Sequence, residues 1–212
     1  MQTKDSVAAL FKNIVKENIG LYNGGEYLYR GHNIKGFPYF KSADILQGSV
    51  YYDDNLYTAV SMYYDLVSNQ LVILDYTKNF PIALISSKVK YFVIDSNRFV
   101  NASISKDLPL PLAEGFYQVL YNNKTSVYAK KEKQLVLSPK DENENHYKEF
   151  DYYFIYADNK LYKADNKKTV LNAFSKRKNE LKKYIHANKI SFKKNFEDAL
   201  IKVSSYYDQI EN

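Results

Sequence analysis

Histidines and neighbouring carboxylates are the side chains of this sequence that could bind a metal. The three histidines, His32, His146 and His186, lie far apart, and none has a second histidine at the four-residue spacing that helical zinc sites use. The segment 141–145 begins like a calcium-binding loop, but His146 stands where that loop needs glycine and Tyr152 where it needs a bidentate glutamate. The sequence therefore predicts no metal site and no cofactor.

Two pairs of nearby carboxylates could supply the acid and the base of a hydrolase: Asp53 with Asp54, and Glu149 with Asp151. Proximity in sequence does not place two carboxylates across a substrate, and charges of this kind are common in turns and at strand edges. The sequence contains no cysteine, no Gly-x-Ser-x-Gly elbow, no phosphate-binding loop and no dinucleotide-binding glycine motif. We therefore predict a non-catalytic protein and keep an uncatalogued hydrolase as an alternative.

Tyrosine is the residue type that most favours a binding function. The chain has 22 tyrosines and 12 phenylalanines but no tryptophan, and aromatic rings stack on sugars and on protein partners. Neighbouring side chains of a strand point to opposite faces of the sheet, so one tyrosine of each strand doublet should lie in the core and the other should face solvent, a helix or a ligand. The tyrosine candidates for a partner-binding surface are Tyr51, Tyr52, Tyr63 and Tyr64.

Positive charge is concentrated near the C-terminus. Residues 1–159 carry 17 Lys and Arg against 18 Asp and Glu, whereas residues 160–212 carry 13 against 6. An excess of this kind attracts anionic partners, although a solvated outer face of a helix explains it as well. The basic candidates for a partner-binding surface are Lys176, Arg177, Lys182 and Lys183.

An alternation of apolar and polar residues with period two runs through the middle of the chain. It is rich in β-branched and aromatic residues, and turn sequences such as Asp53-Asp54-Asn55 and Asp158-Asn159 interrupt it. Strands are predicted over residues 49–52, 56–66, 70–76, 82–85, 88–94, 115–121, 125–130, 152–157 and 161–164. Their spacing predicts an antiparallel meander that closes toward a barrel or a sandwich.

Helical spacing of apolar residues is found at both ends of the chain. Residues 6–17 predict an N-terminal helix, and three apolar stripes between residues 170 and 207 predict a C-terminal helical cap. Asn195 is predicted to cap the last helix. The sequence thus predicts a mainly β (α+β) chain, in which residues 1–159 form the N-terminal helix and the β domain. Residues 160–212 are predicted to add the last strand and the basic helical cap of the same domain.

Several segments carry a resemblance to a known family. In the C-terminal part they are residues 167–174, 182–185, 188–193, 199–201 and 206–207, and in the strand region they are residues 36–40, 48–51, 64–66, 69–71 and 115–121. These segments resemble a family of uncharacterised, β-rich exported proteins of the Bacteroidetes with a lysine-rich helical C-terminus. The resemblance covers most of the chain from about Gly36 and implies export to the cell envelope or beyond. It brings no catalytic residue to this sequence.

These observations together predict a non-catalytic cell-envelope or secreted accessory protein that binds a protein or a glycan through exposed tyrosines and the basic tail. The expected location is extracytoplasmic: periplasmic, associated with the outer membrane, or secreted. The sequence shows no export signal and no run of about 18 apolar residues that would span a membrane. Nucleic acid is not expected as a partner of an exported protein.

A carrier of a hydrophobic small molecule is a further alternative. It requires the predicted meander to close into a barrel around a cavity that side chains leave unfilled. A large apolar pocket would favour this carrier, clustered titratable groups in a cleft would favour the hydrolase, and an exposed aromatic patch would favour the accessory protein.

Overall fold

The computed structural model describes residues 19–29, 31, 34–105, 108 and 112–211. The helix predicted over residues 6–17 lies outside the described residues. Eleven strands form one antiparallel sheet in the described part of the chain, and three α-helices follow the last strand. The prediction of a mainly β fold, with an antiparallel meander and C-terminal helices, is therefore confirmed.

The sheet is assembled largely from strands that are neighbours in sequence. The strands are β1 (Gly25–Glu26), β2 (Leu46–Tyr52), β3 (Asn55–Asp65), β4 (Gln70–Leu74), β5 (Pro81–Ala83), β6 (Val89–Ile94), β7 (Asn97–Asn101), β8 (Phe116–Asn122), β9 (Ser126–Val136), β10 (His146–Ala157) and β11 (Lys160–Lys163). Their order in the sheet is β1-β5-β4-β3-β2-β6-β7-β8-β9-β10-β11. Over the described residues the sheet begins at β1 and ends at β11, so it is open and does not close into a barrel.

Tight hairpins explain why neighbouring strands pair. Asp53 and Asp54 join β2 to β3 with φ angles of 49° and 62°, and Asp158 and Asn159 join β10 to β11 with φ angles of 51° and 59°. Positive φ at both central residues is typical of a type I′ turn, whose twist matches that of two paired strands. Asp and Asn tolerate this backbone better than other non-glycine residues. The turn residues identified in the sequence therefore help to set the register of these two strand pairs.

Residues 1–96 and 133–148 form one compact unit, called here the first unit. Its core lies in β2, β3, β4 and β6, and the ring of Tyr64 on β3 meets the ring of Phe92 on β6 edge to face at a centroid distance of 5.1 Å. The segment before β2 is tied to this core, because the N–H of Phe40 donates to the carbonyl of Tyr64 at 2.8 Å.

Residues 97–132 and 149–212 form the second unit. Its helices are α1 (Lys167–Ala173), α2 (Lys178–Ala187) and α3 (Phe196–Ile210). The buried faces of these helices pack with apolar residues of β9 and β10 into one core. Asn195 caps α3 as predicted, since its side chain accepts a hydrogen bond from the Asp198 N–H at 3.0 Å. The C-terminal helices thus cover apolar strand residues of their own unit.

A buried carboxylate fixes the end of α3 within the second unit. Asp208 is buried, and its Oδ2 accepts hydrogen bonds from the Thr125 N–H at 3.1 Å and from the Tyr121 hydroxyl at 2.9 Å. Thr125 lies in the connection between β8 and β9 and is itself buried. The carboxylate therefore supplies a partner to a backbone N–H that would otherwise be buried unpaired.

A buried lysine fixes the other end of α3. Lys131 on β9 donates to Asp151 at 2.8 Å and to Glu197 in the first turn of the helix. Burial disfavours the charged ammonium, but the hydrogen bonds and the attraction of the two carboxylates outweigh it and hold the pKa of Lys131 above its ordinary value. Strand and helix are thus joined by a charged network inside the second unit.

Candidate functional site: a tyrosine-lined pocket in the first unit

The predicted tyrosine doublets divide between core and surface. Tyr52 is 0% exposed and Tyr64 is 1% exposed. Their hydroxyls donate to Asn23 Oδ1 at 2.6 Å and to Asn69 Oδ1 at 2.8 Å. Neither ring can reach a partner, so the expectation that these two tyrosines belong to a binding surface is corrected. Their burial follows from the alternation of side chains along β2 and β3.

The other member of each doublet is partly exposed and stacks on a tyrosine. Tyr51 stacks on Tyr91 at a centroid distance of 5.5 Å, and the Lys90 ammonium lies 5.4 Å from its ring centroid. Tyr63 stacks on Tyr39 at 4.5 Å. The two outward tyrosines thus belong to different aromatic pairs, and the pair of Tyr63 continues into a larger group of aromatic residues.

The predicted basic face is partly neutralised by ion pairs within the second unit. Lys176 lies 2.6 Å from Asp158, and the hydrogen bond to this carboxylate raises the pKa of the lysine. Arg177 Nε lies 3.1 Å from Glu211. The remaining two predicted residues, both exposed on α2, are Lys182 and Lys183. The four cations are therefore not equivalent as candidates for an anionic partner.

The carboxylates considered for a hydrolase are drawn into ion pairs as well. Asp53 lies 2.8 Å from Lys88, and Asp151 lies 2.8 Å from Lys131. Each pair joins strands or turns of one unit. Ion pairing of one carboxylate in each predicted couple favours a structural role over an acid–base role.

A pocket of about 640 Å³ opens in the first unit beside the edge strand β1. Its lining comes from residues 25–29, from the turn between β3 and β4, from residues 83–86, and from Ile34, Pro38, Leu135 and Tyr147. Polar groups of Glu26, Ser68 and Gln70 accompany the apolar lining. We call this site the tyrosine pocket, because three tyrosines form part of its wall.

The tyrosines of the pocket belong to a larger aromatic group. Tyr27, Tyr29 and Tyr147 line it. The ring centroid of Tyr39 lies 6.4 Å from that of Tyr27 and 6.1 Å from that of Tyr29, and the ring of Tyr63 stacks on that of Tyr39. Of these residues the sequence singled out only Tyr63. The alternation of aromatic residues in Tyr27-Leu28-Tyr29 was the available signal, but a glycine-rich stretch surrounds it.

Asp65 positions the pocket side of this group. It is 5% exposed, and its Oδ1 accepts the N–H groups of Val67 at 2.8 Å and Ser68 at 3.1 Å. Its Oδ2 accepts the Tyr27 hydroxyl at 2.9 Å. One carboxylate therefore holds the turn between β3 and β4 and also orients a tyrosine of the pocket wall.

Lys133 positions the back of the group. Its Nζ donates to the carbonyl of Phe37 at 3.1 Å and to the carbonyl of Tyr39 at 2.8 Å, and it lies 4.3 Å from the Phe37 ring centroid. An ammonium that binds two backbone carbonyls and an aromatic face restricts the segment in which Tyr39 lies. The pocket is thus supported by side chains from two distant parts of the sequence.

The phenols of Tyr27 and Tyr147 in the pocket are neutral at ordinary pH. Burial raises the pKa of Tyr27 far above its usual value, and a hydrogen bond with Tyr39 and the charge of Asp65 raise it further. Burial and a hydrogen bond with Tyr29 likewise raise the pKa of Tyr147. Phenols in this state donate and accept hydrogen bonds, but they are poor bases and poor nucleophiles. The pocket is therefore suited to binding rather than to proton transfer.

Four aliphatic side chains that line the pocket are exposed. Leu28 is 61% exposed, Val67 43%, Ile85 42% and Leu135 40%. Among the described residues, Ile104 is the one large hydrophobic residue with exposure in this range that belongs to the second unit. Exposed apolar groups that gather at one place and are bordered by polar residues mark interaction sites.

The described part of the chain contains no cluster of side chains suited to a metal ion and no helix suited to crossing a membrane. No group of three or more His, Asp or Glu side chains there is arranged to hold a metal ion. His146 and His186 are exposed, and His32 lies outside the described residues. None of the helices described is both long enough and apolar enough to cross a membrane.

We expect Asp65→Asn to destabilise the first unit by about 1–2 kcal/mol. The amide keeps one oxygen for the N–H groups of Val67 and Ser68, but its nitrogen cannot accept the Tyr27 hydroxyl. Urea unfolding followed by circular dichroism measures the change, and Asp44→Asn, at an exposed position, is the matched control. Equal unfolding midpoints for Asp65→Asn and Asp44→Asn would show that Asp65 does not position Tyr27.

Comparison of the chain with protein-family models, with curated proteins and with solved structures finds no match.

Proposed function

We propose that this protein is a non-catalytic accessory protein that binds a segment of a partner protein in the tyrosine pocket. The observation that carries the proposal is the set of exposed aliphatic residues, among them Leu28, that line the pocket together with its tyrosines. Action in the cell envelope or outside the cell is part of the proposal, and it is supported by the resemblance of the sequence to exported proteins.

The chemistry of the pocket suits an apolar side chain of the partner. Burial of one leucine- or phenylalanine-sized side chain contributes about 1.5–3 kcal/mol, and tyrosine is among the residues that contribute most to protein interfaces. Polar groups of Glu26, Ser68 and Gln70 stand beside the apolar lining, where they can bind the backbone of an extended segment. The first unit carries 12 Lys and Arg against 12 Asp and Glu, so bulk charge does not select the partner.

A protein segment suits the site better than a glycan does. Sugars stack on open aromatic faces, whereas Tyr39, which neighbours the pocket tyrosines Tyr27 and Tyr29, has one face covered by Tyr63 at 4.5 Å. The exposed aliphatic residues of the pocket, such as Leu28 and Leu135, offer nothing to a hydroxyl-rich ligand. A protein partner uses both features, because protein interfaces combine aromatic and aliphatic contacts.

The open sheet gives less support to the alternative function, a carrier of a hydrophobic small molecule, than to the accessory protein. That alternative depended on closure of the meander into a barrel, and over the described residues the sheet has separate edges at β1 and β11. The tyrosine pocket lies beside one of those edges, in the first unit, rather than inside a closed sheet.

Site-specific photocross-linking tests the proposal. A benzoylphenylalanine at position 28 should cross-link the partner in envelope extracts of the source cells, because Leu28 is exposed at the pocket. The matched control is the same photoreactive residue at position 56, since Leu56 is 56% exposed but does not line the pocket. An adduct that forms at position 28, not at position 56, and that disappears when Leu135→Ser is added supports the proposal.

A glycan array separates the two partner classes that the sequence left open. Binding of the purified protein to a glycan, with loss of binding in Leu135→Ser, would replace the protein partner by a carbohydrate.

In the photocross-linking experiment, adducts of equal intensity at positions 28 and 56 would contradict the proposal, because the contact with the partner would then not depend on the lining of the pocket.

A further inference from the structure

A second pocket lies in the second unit, between the start of α1 and the segment that joins α2 to α3. Its volume is about 480 Å³, within the range of about 300–1,000 Å³ that small-molecule sites occupy. Its apolar lining consists of Ile190, Phe192 and Phe196. We call it the phenylalanine pocket, and its residues are distinct from those of the tyrosine pocket.

The apolar lining of the phenylalanine pocket is held by the core of the second unit. Phe192 and Phe196 meet edge to face at 5.7 Å, and Phe196 lies 5.1 Å from Tyr153. The N–H of Ile190 donates to the carbonyl of Ile185 at 3.0 Å, which fixes the chain where it leaves α2. These three apolar residues of the lining are partly buried against the core. The pocket is therefore a supported surface rather than a gap between loose side chains.

Positive charge borders this apolar lining. Lys167 and Lys193 line the pocket and are exposed. The one carboxylate that lines it is Asp165, whose Oδ1 lies 3.2 Å from the ammonium of Lys163 outside the lining. The second unit as a whole carries 18 Lys and Arg against 12 Asp and Glu. The field at the mouth of the pocket therefore favours an anion.

We propose that the phenylalanine pocket binds a monoanionic amphiphile, with its hydrocarbon part against Ile190, Phe192 and Phe196 and its anionic group between Lys167 and Lys193. Aromatic and aliphatic side chains favour a hydrocarbon over a sugar or a nucleotide. Two polar side chains that also line the pocket bind backbone N–H groups: Asn166 accepts from Lys168 and Thr169, and Ser191 accepts from Lys194. Two ammonium groups at the border favour a carboxylate over a neutral or cationic head group. This binding site does not depend on the function proposed for the tyrosine pocket.

Isothermal titration calorimetry with decanoate, below its critical micelle concentration, tests the proposal on the full chain. Decyltrimethylammonium has the same chain length and the opposite charge, so it measures what the hydrocarbon contributes alone. We expect decanoate to bind more tightly, and we expect its affinity to fall when salt is raised from about 50 mM to about 500 mM.

Two double variants test whether decanoate binds in the phenylalanine pocket. Lys167→Gln with Lys193→Gln should weaken decanoate roughly tenfold, since two partly solvated charge contacts are lost. Lys160→Gln with Lys202→Gln removes the same charge from exposed positions outside the pocket and should leave the affinity within about twofold of the unmodified chain. Equal affinity for decanoate and decyltrimethylammonium, or equal weakening by the two double variants, would overturn the proposal.

Discussion

Leu200→Asp is expected to unfold the second unit. Leu200 on α3 is 0% exposed and belongs to the apolar core that the three helices share with β9 and β10. Loss of a buried leucine side chain costs about 2–5 kcal/mol, and an unpaired carboxylate in the same place adds a desolvation cost of several more. The total approaches the whole stability of an ordinary domain, which is about 5–15 kcal/mol. Thermal unfolding followed by circular dichroism measures the loss.

Two further substitutions show whether the effect comes from the buried position. Leu200→Ala removes the same contacts without adding a charge and should destabilise by about 2–5 kcal/mol. Lys202→Ala changes an exposed residue of the same helix, whose ion pair with Asp198 at 2.8 Å is worth only about 0.3–0.5 kcal/mol. Equal melting temperatures for the Leu200→Asp and Lys202→Ala proteins would mean that α3 does not pack on the core.

The fold was largely predictable because its signals are local. A period of two gives strands wherever one face is buried, and apolar residues three and four apart give a helix with one buried face. The cap of α3 by Asn195 needed only the residues of its own first turn. Asp53 and Asp54 likewise fix a hairpin through their own backbone angles. Each of these features is decided by neighbours in sequence.

The candidate site was not predictable, because its parts come from separate segments. Tyr27, Tyr39, Tyr63 and Tyr147 become neighbours only when the sheet forms, and Asp65 and Lys133 then fix their positions. Hydrophobic alternation predicted that each doublet would divide between core and surface. It did not say which tyrosine would be buried, since that depends on the side of the sheet that the rest of the unit covers.

The basic tail shows a related limit of reasoning from sequence. Net charge identified a basic region of the chain, but Lys176 and Arg177 in it pair with Asp158 and Glu211, which lie far from them in the sequence. Lys167 and Lys193, which border the phenylalanine pocket, are not among the four basic residues predicted for a partner-binding surface. Which cation faces an anion and which faces a pocket depends on tertiary contacts that charge counts do not contain.

Tyrosine ionisation is expected to make the folded chain sensitive to alkali. Ten of the described tyrosines have a pKa above the ordinary value, and burial is the largest cause for each of them. These tyrosines are Tyr22, Tyr27, Tyr39, Tyr52, Tyr63, Tyr117, Tyr121, Tyr147, Tyr153 and Tyr207. They belong to both units, so the expectation applies to each.

The sign of the pH dependence follows from proton binding. When a tyrosine has a higher pKa in the folded chain than in the unfolded chain, the folded chain keeps its proton at a pH where the unfolded chain has lost it. The stability that such a tyrosine contributes is fully present below the pKa of the unfolded chain, about 10, and is lost as the pH rises through the pKa of the folded chain. Lys131 acts in the same direction, because its pKa is also raised and its ion pairs are lost when it deprotonates. The losses of stability from the tyrosines and from Lys131 therefore have the same sign.

We therefore expect unfolding to begin above about pH 10 and the loss of stability to steepen as the pH rises further. Absorbance at 295 nm reports phenolate, and circular dichroism on the same samples reports the fold. The buried tyrosines should ionise together with loss of the fold, whereas in guanidinium chloride all 22 should titrate in one normal step. Tyr207→Phe should make stability fall less steeply with pH above about pH 10, because it removes one phenol whose pKa is raised in the folded chain. Titration of every tyrosine in a fold that persists would contradict their burial, since a buried phenolate is stable only if water or a cation reaches it.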